Sequence, residues 1–411
     1  MERRWELDAL RGVMLVLMTL THLPTLFSSP FGQPFGFVSA AEGFVLLSAY
    51  MCGVVYTQRE QRDGEEPMRS ALLQRAFKIY LCQAALLVFL FSFIAGIGLL
   101  ADRDAVKNLM SFYLERPVVA VVGSLLLLYN PPLLDILPMY IVFMLASPVL
   151  LVLGWRRGLR RGWTPVLALS VAGWFGAQFG LGRVLQAQLI ALTGLPVPPQ
   201  QGGAFDILAW QFLWVLGLWM GSSQAAKRPA VPQGLPHWAV LAAVAIGVAG
   251  TVWRHAVGQA AFPTLPCTAI PNMLFDKWRL GPLRMLDLFA LLLLVLHFGP
   301  WLKQRLPRLR FLETLGSASL PVFCAHLVVA LLALALWGEP DKERSIGIDL
   351  GILFGGFAVL YAVALISQQL DCRAAAVQKR FKERRAARLA RLAVTSGERR
   401  SPTSRAHSPP H

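Results

Sequence analysis

Ten stretches of this chain are each about as long and as apolar as the hydrocarbon core of a bilayer, and that recurrence decides most of what it can fold into. Broken by proline, glycine and charge, they cover approximately residues 9–27, 37–56, 77–100, 133–153, 163–181, 205–222, 236–253, 282–302, 312–337 and 346–368. Backbone groups in lipid must bond within their own segment, so spans of this length are helices. The expected fold is all-α, a polytopic helical membrane protein of about ten transmembrane helices. Of its 411 residues, 55% are hydrophobic and 15% charged, with a mean hydropathy of +0.53, which excludes an ordinary soluble domain. An eleventh apolar run, Val118 to Tyr129, has only twelve residues between Pro117 and Pro131. It is too short to span easily and is expected to form a re-entrant or surface helix.

The net charge of +16 does not point to nucleic acid, because the basic residues sit in short loops and the tail instead of interleaving with aromatics on one face. They follow membrane topology. With a cytoplasmic N-terminus, the loops after the second, fourth, sixth and eighth spans hold five, four, two and four Lys or Arg. The opposite loops hold none, three, one, three and two, and the tail from Arg373 adds eleven. Both termini are therefore expected on the cytoplasmic side. Residues 1–370 form the membrane domain and 371–411 a basic tail. Its first part, 373–393, has a helix-forming Arg, Lys and Ala pattern suited to anionic lipid, and 395–411 is expected to be disordered. Cys52, Cys82, Cys267, Cys324 and Cys372 have neither paired nor metal-ligand spacing and read as packing residues. The first apolar segment lacks a cleavage pattern and is expected to remain as a span.

That first segment, Trp5 to Phe27, carries Asp8, Arg11 and His22. At about 100° per residue, Arg11 and His22 fall within about 20° of one face, roughly 16 Å apart along it. Lipid would not tolerate such a stripe, so it should face protein or water, and ionisable residues inside a span are functional candidates. The alternative is a capped helix start with Asp8 and Arg11 paired and His22 bonded structurally. Glu42 enters the second span at a depth similar to that of His22. A histidine and a carboxylate at one depth can act as a base with its orienting group, although Glu42 can equally be neutral and bonded locally. His326, midway along the ninth span, is a supporting candidate.

Further polar residues gather at the outer ends of spans: Asp135, Tyr140, Asp206, Trp210, Gln211, Lys277 and Arg284. Together they could line a cleft for a hydroxyl-rich ligand, with aromatic faces against sugar rings. Singly, each also fits an interface anchor, and Arg284 and Asp287 fit a pair one turn apart. On the other side, Arg75 and Lys78 enter the third span on one face and, with Arg11, could seat phosphates. There is no Walker loop, dinucleotide fingerprint, HExxH, GxSxG or Cys/His metal cluster.

RRWELDALRG at 3–12, MTLTH at 18–22 and AAEGFVLLSAYMCG at 40–53 resemble the start of the membrane acyltransferase superfamily. PLLDILPMYIVFMLASP at 132–148, FDILAWQFLWVLGLWMG at 205–221, DKWRLGPLRMLDLFAL at 276–291 and SLPVFCAHL at 319–327 resemble the OpgC proteins. The resemblance implies transfer of an acyl group, succinyl in that family, from cytoplasmic coenzyme A to hydroxyls of a periplasmic glucan at the bacterial inner membrane. It implies His22 as catalytic histidine with Glu42 as the acidic position, and Arg11 and Arg75 as donor-binding positions, to which Asp8 and Lys78 are added. No bound cofactor or metal is expected; acyl-CoA is a substrate. Ala49 stands where glycine would follow the serine. Two other readings remain: a secondary transporter or flippase for a glycan or acyl-lipid, in which the same residues relay protons, and a non-catalytic scaffold docking through its tail.

Overall fold

The computed structural model describes residues 4–156, 159–228, 234–258 and 269–398. The protein is 81% helical and has no strand among the described residues. The principal helices are α1 (Trp5–His22), α2 (Ala40–Asp63), α3 (Glu65–Val88), α4 (Pro117–Leu125), α5 (Ile136–Arg156), α6 (Leu159–Gln178) and α7 (Leu181–Thr193). They are followed by α8 (Ile207–Ala225), α9 (His237–Val257), α10 (Pro282–Arg305), α11 (Arg310–Ser317), α12 (Ser319–Trp337) and α13 (Ile346–Glu398). Among the described residues, seven helices are long and apolar enough to cross a membrane, or eight if one bent pair is a single span. The expected count of ten also includes α1 and α8. Both are full-length helices, but Glu6, Asp8 and Arg11 dilute the first, and Gln211 with Ser222, Ser223 and Gln224 dilutes the second.

Local sequence explains the helix ends. Pro24 disfavours helical geometry for the residue before it, and Leu23 is extended at φ −69° and ψ 132°. Helix α1 therefore stops at His22, five residues short of the expected boundary. Ser39 and Glu42 form a capping box at the start of α2, each side chain bonding the other's backbone N–H. His22 and Glu42 thus lie at helix ends instead of several residues inside. Beyond α3, a π-helical turn at Phe89–Ile94 and a helix at Ala95–Leu100 continue the same apolar rod. Helix α4 has nine residues, matching the expected short element.

Gly180, at φ +86°, lets the chain turn by 88° between α6 and α7. The second arm occupies residues expected to be loop. At the C-terminus, α13 is one helix of 53 residues. No glycine or proline falls between Phe357 and Ser396, so nothing interrupts it. The expected basic helix is continuous with the last span and includes residues 395–398; the rest of the expected disordered end, 399–411, lies outside the described residues.

Small residues set the closest packing. A Cβ on Gly221 would lie within about 2.0 Å of the Tyr50 carbonyl oxygen, and one on Gly53 2.4 Å from that of Leu218, so the backbones of α2 and α8 touch. Ala49 is fully buried in the same contact. Its methyl group is accommodated because the facing residue is Gly217, where an added Cβ would come within 2.6 Å of it. Gly12 and Gly316 similarly bring α1 against α11. Trp163, Trp210 and Trp214 are fully buried among these helices, while α9 buries only Ala243 and Gly247 and turns its remaining apolar surface outward.

Because no flexible side-chain end can yield at these crossings, Gly221→Val should destabilise the protein by about 3 kcal/mol. Gly96→Ala, at a site with nothing within 4 Å of the added Cβ, should leave the thermal midpoint in detergent unchanged.

Candidate active site

The two ends of α1 lie in chemically different surroundings. Near its start, Arg11 lines a cavity of about 220 Å³ together with Arg75, Ser48, Tyr140, Trp214 and Phe323. Arg11 and Arg75 therefore line the same cavity. Lys78 is exposed on α3 and is not part of the cavity wall. Asp8 is buried, and its backbone packs against Gly316 of α11. Tyr140, expected in the outer cleft, instead lines this basic cavity and meets Trp214 edge-on at 5.4 Å. Position near the N-terminal end of α5 did not reveal which neighbour it would face.

At the other end of α1, His22 Nδ1 lies 3.1 Å from His326 Nε2, and the rings stack at 5.3 Å. His326 Nδ1 lies 2.6 Å from the Phe323 carbonyl oxygen. A carbonyl only accepts, so Nδ1 of His326 carries the proton and its Nε2 is the acceptor. Nδ1–H of His22 donates to it, and the lone pair is left on Nε2 of His22. His326 is fully buried and His22 is partly exposed. The carbonyl and the buried imidazole thus set the tautomer of an accessible one. Phe323 connects the regions: its ring lines the basic cavity and meets His326 edge-on at 4.7 Å.

Glu42 is committed elsewhere. Its Oε1 accepts Nη1–H of Arg284 at 2.8 Å and its Oε2 accepts the Ser39 backbone N–H at 3.0 Å, with the Ser39 hydroxyl donating to the same oxygen. Among the described residues, no hydrogen bond or ion pair joins His22 to Glu42, so the anticipated histidine–carboxylate pair resolves into two separate pairs. The Ser39-x-x-Glu42 spacing signalled this cap in the sequence. Arg284, for which Asp287 was an expected partner, turns to Glu42. Asp287 instead accepts the Phe37 backbone N–H at 2.7 Å, securing the connection between α1 and α2.

Three short segments pack beside these pairs. Asp135 accepts the Ala204 N–H at 3.0 Å, and Asp206 caps α8 by accepting from Leu208 and Ala209. The Trp278 carbonyl accepts both the Asp206 N–H at 3.1 Å and the Trp210 indole at 3.0 Å. Trp210 is therefore an anchor rather than a stacking face. Both ends of the Gln211 amide are engaged with Ser170 of α6, so it ties two helices together. Lys277 precedes α10 with its ammonium 4.8 Å from the Trp278 ring centre. Burial pushes that ammonium below its ordinary pKa, against the opposing charge of Glu42, and Asp135 also lies within its field. Among the described residues no ion pair engages it, and no group of three metal-ligating side chains occurs.

A model of the family described as "OpgC protein" matches residues 3–371. No curated protein and no solved structure matches the chain.

Arg284 and Glu42 are 4% and 0% exposed, so removing one partner leaves the other charge in an apolar interior. Arg284→Met should lower stability by about 3–5 kcal/mol, read as a fall in the thermal midpoint in detergent. Adding Glu42→Gln should recover much of that loss.

Proposed function

The chain belongs to the OpgC family, which points to a glucan-modifying transferase of the acyltransferase type, and we propose that it moves a succinyl group from coenzyme A to a hydroxyl of a periplasmic glucan. The observation carrying this reading is the free Nε2 lone pair of His22, set by His326, beyond a basic cavity that begins at Arg11 and Arg75. In this reading the bacterial inner membrane holds the protein with both termini in the cytoplasm. The phosphates of the donor rest on Arg11 and Arg75, and the pantetheine arm runs past Phe323 toward His22.

The glucan hydroxyl reaches His22 from the opposite side. Nε2 takes its proton as the oxygen attacks the thioester carbonyl, and the C–O bond forms. Collapse of the tetrahedral intermediate breaks the C–S bond, and His22 returns the proton to the departing thiolate. The products are one ester and one free thiol, with no acyl-enzyme intermediate required. His326 keeps the base in the correct tautomer and shares the positive charge as it develops. Lys277, with no ion-pair partner among the described residues, supplies positive charge for the oxyanion or for the distal carboxylate of the acyl group. Glu42 acts one step away by holding Arg284 and the start of α2 in place.

The bent pair α6–α7 would also suit a transporter, which has no compartment to act across when purified in detergent. Ester formation by the purified protein separates the readings. His22→Ala should lower kcat by about 10²–10⁴-fold with the unfolding midpoint retained; a folded variant with full activity would remove the assignment. His326→Leu should lower kcat more than His326→Gln, whose amide can still accept from His22. Arg75→Gln should raise KM for the acyl donor by about tenfold and leave KM for the glucan unchanged.

A further inference from the structure

A second cavity of about 340 Å³ opens where the three short segments meet, within the range of small-molecule sites. Asn130, Arg183, Gln186, Gln201, Asp206 and Trp278 are in its wall. His22, His326, Glu42 and Arg284 are not, so it is separate from the reaction centre. It adjoins that centre through the segment from Phe275 to Trp278, whose first carbonyl accepts from Arg284 at 3.4 Å and whose tryptophan is in the cavity wall.

The frame of this cavity is preformed. The Asn130 N–H donates to the Gln201 carbonyl at 3.0 Å, and the Asn130 amide to that of Gly202 at 2.7 Å. The bonds from Ala204 to Asp135 and from Asp206 to Trp278 close it on the other sides. Leu127, Leu133 and Leu280 hold left-handed backbone at φ 60°, 71° and 53° in the two segments flanking it, a geometry that persists only where the surroundings impose it.

Its chemistry is that of a neutral hydroxyl-rich ligand. Asp206 Oδ2 and Asn130 Oδ1 are buried acceptors in the wall that have no donor among the described residues. Gln186 spends its Nε2 on the Gly202 carbonyl at 2.8 Å, which leaves Oε1 as a further acceptor. Arg183 and Arg279 share the wall with Asp135 and Asp206, both arginines acting on Asp206 and Lys277 acting on Asp135, so neither sign of ligand charge is favoured. Trp278 is 38% exposed, with the Lys277 ammonium over its ring, and offers an aromatic surface to a sugar ring.

We propose that this cavity is a glycan subsite displaced from the reaction centre, holding a second sugar unit of the chain whose neighbouring unit is acylated, so that the protein selects oligomeric over short acceptors. This rests on the acyltransfer reading for the meaning of "acceptor", but binding itself needs no donor. The experiment measures saturation-transfer NMR signals from a β-linked glucose oligomer and from a glucose disaccharide with the full-length protein in detergent, without acyl donor. The same acceptors are then used in the esterification assay.

The oligomer should bind about tenfold more tightly than the disaccharide, and Arg183→Ala and Trp278→Ala should each erase that preference. Arg183 is exposed, so its substitution keeps the test valid if the tryptophan variant unfolds. Equal binding of the two acceptors by the unaltered protein, or full oligomer preference in a folded Arg183→Ala variant, overturns the subsite. Length-dependent binding without ester formation upholds the subsite and removes the acyltransfer reading. Ester formation indifferent to acceptor length does the reverse.

Discussion

The buried ion pair of Glu42 and Arg284 holds the site in register. In an apolar bundle two such charges are tolerable only together, because desolvation of either alone costs more than most single contacts return. Their 2.8 Å contact joins the first turn of α2 to the first turn of α10. Arg284 also donates through Nε to the Phe275 carbonyl at 3.4 Å, at the start of the segment that carries Lys277 and Trp278. The Trp278 carbonyl then receives donors from the start of α8. One pair therefore aligns the helix ends around the histidines and the outer cavity.

Helix α1 supplies the second organising constraint. Arg11 and His22 are eleven positions apart, enough for one rigid helix to carry a guanidinium in a basic cavity and an imidazole beyond the aromatic wall of Phe323. In the proposed reaction, separating the two would protect the thioester, because a reactive carbonyl held near a base must be kept from water until the acceptor is in place. Fixing the tautomer through a carbonyl and a neutral imidazole also avoids placing another charge beside the pair at Glu42. The loop that follows His22 is clamped in turn, since Asp349 accepts the Leu26 N–H at 2.9 Å while Arg344 pairs with Asp349 at 2.7 Å and bonds the Pro24 carbonyl.

Several of these features were written locally. Pro24 marks the end of α1, Ser39-x-x-Glu42 marks the start of α2, and the twelve-residue run after Pro117 is too short to span. The shared face of Arg11 and His22 follows from helical periodicity alone. Tyr140, Trp210 and Gln211 show where that reasoning stops. All three are polar or aromatic groups near helix ends, yet one lines the basic cavity, one is a buried anchor and one ties two helices. The count of spans differs for a related reason: the polar residues of α1 and α8 leave them outside the seven or eight described helices that are apolar enough to cross a membrane, and α1 is the helix that carries Arg11 and His22.

Composition and periodicity by themselves determined the helical membrane class, the stripe on the first helix and the motifs of the family, because each depends on residues within a turn or two of one another. Only tertiary structure decided the partners. His22 meets His326 across 304 positions and Glu42 meets Arg284 across 242, and a buried polar group is satisfied by whichever donor or acceptor the packing brings within 3 Å or so. Depth in a membrane narrows those choices, but helix rotation and crossing make them, as where Gly53, Gly217 and Gly221 let α2 and α8 approach to backbone contact.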